Sequence, residues 1–417
     1  MRATWIFAAI LSSMAAVVSG AEKPLLIPAD KIYTAPDAQP LLNGSVLVRG
    51  GRVVGVADQH ARLAIPKGTQ TSDCRGVVVA GFQNSHVHFM EPVWNDAAHA
   101  DARGLSNSLD AMLTKYGYTT VFDTGSDQAN TVALRERLRK DVRGPRVLTV
   151  GLPLYPVDGL PIYIADMPAD VLARMHQPKS ADEARANVRA NLANGADGTK
   201  LFLHTSHDGK TPRFMTLDVI RAAVEETHAQ GKLVLAHPTS LEAVRAAIVG
   251  GVDVLVHTTL GEKDPWDAAV VAQLIQHHVS VIPTFKLWVY ELRKQDVPPP
   301  VIDKLVAATL EELRAFHTAG GQVLFGTDVG YMHDYDPTDE YMFMQKAGMT
   351  PAQILASLTT APAARWKESE RRGRVVPGAD ADLVVLGGDP AEDVKNFSNV
   401  RCVFRAGTLI YDSKEPR

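Results

Sequence analysis

The sequence predicts an α/β protein: a (β/α)8 TIM-type barrel with a small β-sandwich domain built from both chain termini. Three observations predict it. Short apolar strand-like runs alternate with helical stretches from about residue 76 to 370, and β-type runs with glycine turns flank that region on both sides. The length of 417 residues leaves room for one barrel of about 250 residues and a smaller domain. With 46% hydrophobic and 22% charged residues, the composition is that of a globular chain with a sizeable core. The formal net charge of −4 comes from charges mixed along the whole chain, which argues against a nucleic-acid-binding surface.

In chain order, residues 1–21 read as a secretory signal peptide. Arg2 is followed by an apolar run from Trp5 to Val18 and then by the small residues Ser19, Gly20 and Ala21. Either Val18/Gly20 or Ser19/Ala21 fits the −3/−1 positions of a cleavage site. The alternative, an uncleaved anchor, needs a run of roughly 20 apolar residues, and this one is shorter. The expected mature chain is therefore periplasmic or secreted, with no stable membrane anchor after cleavage.

Residues 22–75 form the first part of the β domain, where Ser45–Arg49, Gly50-Gly51 and Arg52–Val56 read as a hairpin. The barrel is expected over 76–370, with strands at Val77–Ala80, Thr119–Phe122, Arg146–Val150, Thr199–Leu203, Lys232–Ala236, Val252–Val256, Val279–Ile282 and Val323–Phe325. The helices show the matching period: in Leu217–Ala229, Leu217, Ile220, Ala223 and Val224 share a face, and Gly231 supplies the stop. Residues 371–417 return to β texture at Ala381–Leu386, Val400–Arg405 and Thr408–Tyr411, completing the terminal domain. The two cysteines, Cys74 and Cys402, sit in strand-like runs at opposite ends. A bridge would tie the termini together, but spacing alone leaves their approach open.

A barrel carries its chemistry where strands end, at the C-terminal rim. The first strand region runs into His86-Val87-His88, and histidines at i and i+2 of an extended chain point the same way, toward one metal. Among 14 histidines that pair is weak by itself. Lys200, His237, His257 and Asp328 stand at four further strand ends. Singly they read as a surface lysine, two core histidines and a helix cap. Jointly, in this order, they point to a metal site.

With those motifs in place the sequence resembles the amidohydrolase superfamily, in particular its imidazolonepropionase-like and Xaa-Pro-dipeptidase-like members. The resemblance runs from Val79–His88 through the strand-end residues to Ala361–Arg365 and Gly373–Leu383. It implies two zinc ions per chain. His86 and His88 would hold the more buried ion, His237 and His257 the more exposed one, and Lys200 would bridge both as its Nζ-carboxylate. Asp328 would bind the buried ion and shuttle protons as the catalytic residue. A carbamate suits that place because it is a bidentate anion, whereas an ammonium would be repelled by two cations. A single-metal variant with Lys200 a bystander stays open.

The chemistry so implied is hydrolysis of amide bonds in small molecules such as N-acyl amino acids, dipeptides or cyclic amides. Lactone or ester hydrolysis would use the same metal site, and a non-catalytic binding relative would be expected to lack ligands. A nucleobase deaminase fits an exported chain poorly. Substrate is less legible. Leu152–Pro178, rich in proline and carrying Tyr155 and Tyr163, reads equally as a lid or a decorated connection. His204-Thr-Ser-His207 departs from the small, glycine-rich stretch of the dipeptidases, which weakens that assignment. Phe285–Tyr290 and Gly330–Tyr335 offer aromatic walls, and Lys286 a cation for a substrate carboxylate. A homo-oligomer is the base-rate expectation.

Overall fold

The structure, a computed structural model, describes residues 23–165, 167–206, 211–260 and 265–414. The expected signal peptide lies outside the described residues. Among the described residues no helix is long and apolar enough to cross a membrane.

Both ends of the chain build one eight-stranded sheet. Its order runs Thr408–Asp412, Val400–Arg405, Leu383–Leu386, Val77–Ala80, Leu25–Ile32, Leu41–Arg49, Arg52–Ala57, with Gln70–Thr71 paired to Leu25–Ile32 off this path. The predicted hairpin forms, with Arg49 opposite Arg52 and Gly50 and Gly51 at φ 58° and 72°. Two consecutive positive φ values are what a tight two-residue hairpin demands, and glycine meets them without steric cost. The expected sandwich is realised differently, as one continuous sheet rolled on itself. The Val53 and Ala381 N–H groups donate to Ala379 O and Gly51 O, drawing the Arg52–Ala57 edge toward the C-terminal strands. Ile27, Val46, Val53, Val78, Leu383 and Phe404 then share one core, because a twisted sheet can bury a face against itself. Inside that core Cys74 and Cys402 form a disulfide, Cα–Cα 6.2 Å, which joins the two ends of the chain.

Val77–Ala80 was expected to open the barrel. It pairs instead with Leu25–Ile32 and Leu383–Leu386 in the terminal sheet, and Phe82–Val87 takes the first barrel position. The chain passes between the two layers at Gly81, where a Cβ would lie 2.3 Å from Thr119 Oγ1. Only glycine allows so close a crossing, and a fully apolar run before it suits either layer.

The barrel-like layer consists of two parallel sets. One joins Phe82–Val87, Tyr118–Asp123 and Arg146–Thr149; the other joins Gly198–Phe202, Leu233–His237, Val254–Val256 and Ser280–Ile282. Isolated bridges connect them at both seams, Leu154 to Leu201 on one side and Val323 to Val281 on the other. The expected eighth strand is thus a bridging segment. Phe325 O accepts from Ser85 N at 2.7 Å and Leu324 N donates to Val281 O at 2.9 Å. Three residues later Asp328 turns to φ 61°, which ends the extended run before a ladder can build. The helix Leu217–Ala229 follows its sequence pattern, burying Ile220, Ala223 and Val224 and ending before Gly231 at φ 66°.

Candidate metal centre

All six predicted site residues line one cavity of about 210 Å³ at the strand ends. Parallel strands bring this about, since every strand of a parallel layer ends on the same side. His86 and His88, two apart on an extended chain, turn their rings the same way, and their Nε2 atoms stand 3.1 Å apart. Asp328 Oδ1 lies 3.3 Å from His86 Nε2 and 3.0 Å from His88 Nε2. His257 adds its Nε2 at 3.9 Å from Asp328 Oδ2, and the His237 and His257 ring centroids are 4.8 Å apart.

Second-layer contacts decide which nitrogen of each ring faces the cavity. His88 Nδ1 donates to Gly125 O at 2.8 Å, since a carbonyl can only accept, which leaves Nε2 as the nitrogen that faces the cavity. Gly125 is placed in turn by the buried Asp123, whose carboxylate accepts from Gly125 N, Ser126 Oγ, Thr131 Oγ1 and Thr149 Oγ1. Burial holds the imidazoles of His86, His237 and His257 well below their usual range, and the charges of Lys200 and neighbouring imidazoles add to it. Neutral imidazoles at one cavity are able to bind a cation.

The spacing tests that idea. Ligands at about 2.0–2.1 Å from one tetrahedral ion stand about 3.3–3.4 Å from one another. The His86, His88 and Asp328 atoms are separated by 3.0–3.3 Å. Asp328 Oδ1 is moreover buried with no hydrogen-bond partner, a costly condition that a cation relieves. The donor set therefore fits a divalent metal.

Lys200 is buried, with Nζ 5.3 Å from the Phe202 ring centroid. Burial pushes its ammonium down to about 7, opposed by the Asp328 and Asp123 carboxylates. Strain also gathers here: His257, Thr284 and Asp328 hold φ of 82°, 50° and 61°. Positive φ is uncommon for such residues and persists where the surroundings over-determine it.

Aromatic walls complete the cavity, with Tyr155, Tyr163, Phe202, Trp288 and Tyr331 around it. The 152–178 connection packs its own small core of Tyr155, Leu160 and Ile164 against Phe202, and Tyr163 meets Tyr331 at 5.3 Å. It covers the site. Lys286, expected as a cation for a substrate carboxylate, points elsewhere: its Nζ is 2.8 Å from Asp334 Oδ2 and donates to Asp334 O and Asp336 O. His204 stacks on Phe214 with ring centroids 4.6 Å apart, and His207 lies outside the described residues. Residues that sequence reasoning missed are Phe202, which shares a strand face with Lys200, and Thr284, Gly125 and Asp123, which orient ligands. Phe202 was findable from its i+2 spacing to Lys200; the others carry no local signal.

Residues 77–410 match the model of the amidohydrolase family. The ochratoxinase of Aspergillus niger is 24% identical over 408 residues, covering 88% of this chain and 82% of that protein. Its crystal structure is similar with a TM-score of 0.76 at 21% identity, covering 94% of this chain and 96% of that one. A Xaa-Pro dipeptidase with methionine bound in the active site gives a TM-score of 0.79 at 22% identity, covering 94% of this chain and all of that chain (100%). A prolidase complexed with N-methylphosphonate-L-proline gives 0.76 at 25% identity, with the same coverage of 94% and 100%.

Proposed function

The chain belongs to the amidohydrolase family and is a hydrolase acting on carbon–nitrogen bonds, and on that premise we propose that it is zinc-dependent and cleaves amide bonds of small molecules such as N-acyl amino acids, dipeptides or cyclic amides. The observation that carries this reading is the convergence of His86, His88 and Asp328 within 3.3 Å of one another in a cavity that Lys200, His237 and His257 also line. His86, His88 and Asp328 would hold the deeper ion and His237 and His257 the outer one, with Lys200, as its Nζ-carboxylate, between them. A lysine that loses its proton near pH 7 is a competent nucleophile toward carbon dioxide, which supports that modification. When bound, the ions would supply a water of lowered pKa and polarise the scissile carbonyl.

The chain's own groups do the rest. Asp328, at the base of the cavity, takes the proton released as the water oxygen bonds to the carbonyl carbon. It passes that proton to the leaving nitrogen as the C–N bond breaks. Tyr155, Phe202 and Trp288 wall the cavity and keep bulk water from the reacting group.

The Cys74–Cys402 bridge supports export to the periplasm or beyond, since such bonds persist in oxidising compartments. Elemental analysis of the purified protein tests the metal reading: about two zinc per chain are expected, with a sharp fall in Lys200→Ala and Asp328→Ala. One metal, unchanged in Lys200→Ala, would remove the bridge. A panel of amides with ester and lactone counterparts, read by product chromatography, tests the bond class.

A further inference from the structure

Beside the metal cavity lies a second one of about 400 Å³. The two share five lining residues, Met90, Gly125, Pro153, Tyr155 and Ile164, so no more than a single layer of side chains stands between them. Gly125 is part of that layer. A Cβ there would lie 2.7 Å from Pro153 Cγ and 3.9 Å from His88 Cε1, so the glycine keeps the wall between them thin.

One side of the second cavity is apolar and adaptable, lined by Phe89, Leu152, Met167, Val171 and Met175, while Asn95, Asn130 and Arg174 line its polar side. Methionine side chains fill irregular space and yield to different shapes. Its one strong charge pair is already matched, with Arg174 Nη1 3.0 Å from Asp127 Oδ2. The metal cavity alone, at about 210 Å³, is smaller than the roughly 300–1,000 Å³ of sites that enclose a whole small molecule. Together the two fall within that range.

We propose that this second cavity is a substrate pocket that takes the apolar acyl part of an N-acyl amide, an aryl or medium-length alkyl group, while the scissile bond sits at the metal centre. The inference rests on the amide-hydrolase reading above and specifies its substrate class. The acyl part is the half that fits, because the amine half of an N-acyl amino acid carries a carboxylate, and the cation that lines the cavity, Arg174, is already paired with Asp127. Exposed apolar side chains stand at the cavities too: Met90 lines both and Tyr163 lines the metal cavity. At interior packing density the cavity holds on the order of ten or more non-hydrogen atoms.

The test compares N-acetyl-, N-hexanoyl- and N-decanoyl-L-alanine in kcat/KM, with wild type, Val171→Trp and Met175→Ala. Wild type should favour decanoyl over acetyl at least tenfold. Val171→Trp should cut that ratio at least tenfold by filling the cavity, and Met175→Ala should preserve it or shift it toward longer chains. A wild-type ratio near one, or a ratio unmoved by Val171→Trp, would overturn the pocket. Calorimetric binding of decanamide, with acetamide as control, gives a readout apart from turnover. Val171→Trp should weaken it at least tenfold, whereas binding that the substitution leaves alone overturns the pocket. If no N-acyl amide is cleaved yet decanamide binds in a Val171→Trp-sensitive way, the amide-hydrolase reading fails and the pocket stands.

Discussion

His257 Nδ1 lies 2.5 Å from Thr284 Oγ1, and the threonine hydroxyl itself donates to Pro283 O at 2.8 Å. With its proton committed to the carbonyl, Thr284 receives the hydrogen bond from His257. The imidazole is thereby held with Nε2 bare and directed toward Asp328. A threonine on the seventh strand end thus sets the tautomer of a cavity histidine on the sixth.

Removing that hydroxyl should loosen the metal rather than the fold. Thr284→Val is expected to lower metal affinity 10–100-fold, the range typical for groups that orient a ligating histidine. Thr284→Ser should restore it. Competition with a chromogenic chelator measures the affinity, and equal affinity in Thr284→Val and wild type would refute the assignment.

On the proposed reading, Lys200 should make metal loading pH-dependent. In the metal-free chain its ammonium titrates at about 7, so the neutral amine that captures carbon dioxide rises from about 10% at pH 6 to about 90% at pH 8. Reactivation of metal-free protein by zinc should accelerate roughly tenfold across that interval and depend on added bicarbonate. A rate indifferent to bicarbonate would show that Lys200 is not carboxylated.

The disulfide should stabilise without touching catalysis. Cys74 and Cys402 are separated by 328 positions and lie in the core of the terminal sheet, outside the lining of the metal cavity. A disulfide typically contributes about 2–4 kcal/mol. Replacing both cysteines by alanine should lower Tm by several degrees while kcat/KM of the folded fraction stays within about twofold. No change in Tm between oxidised and reduced protein would contradict this.

Glu340 gives a second pH signature, distinct from the metal ligands. It is buried and accepts from the N–H groups of Phe285 and Lys286, which begin the helix carrying Leu287, Trp288 and Glu291 to the cavity. Burial pushes its carboxyl up to about 7, against the opposing pull of those two N–H groups. A raised pKa in the fold means that its contribution to stability is complete below about pH 4.5 and fades as pH rises through 7. Relative to Glu340→Gln, which does not titrate, wild type should lose on the order of 2–3 kcal/mol between pH 4 and 8. Denaturation curves of both proteins across that range check the sign; a difference that grows with pH would refute it.

The residues that line the metal cavity were legible because most of them stand at or beside strand ends. His237 and His257 stand at the ends of predicted strands that the structure reproduces to within two residues, Lys200 lies inside a third, Gly198–Phe202, and those strands are parallel, so these side chains come to one cavity. Asp328 was legible by the same rule although its strand reduces to a bridge. Lys286 was misread because its neighbours in space, Asp334 and Asp336, lie some fifty positions away and neutralise it. Val77–Ala80 was misassigned because an apolar run states that it is buried, not which sheet buries it.

The sequence by itself determined the alternation of strands and helices, the hairpin at Gly50-Gly51, and the six metal-competent side chains, since these follow from local periodicity and residue chemistry. Tertiary structure alone decided that the termini share one rolled sheet closed by Cys74–Cys402, that Thr284 and Gly125 orient the histidines, and that a second apolar cavity adjoins the first. The physical reason is range. Periodicity is written in neighbours a few positions apart, whereas ladders, hydrogen-bond partners and cavities join residues whose separation along the chain says nothing about their distance in space.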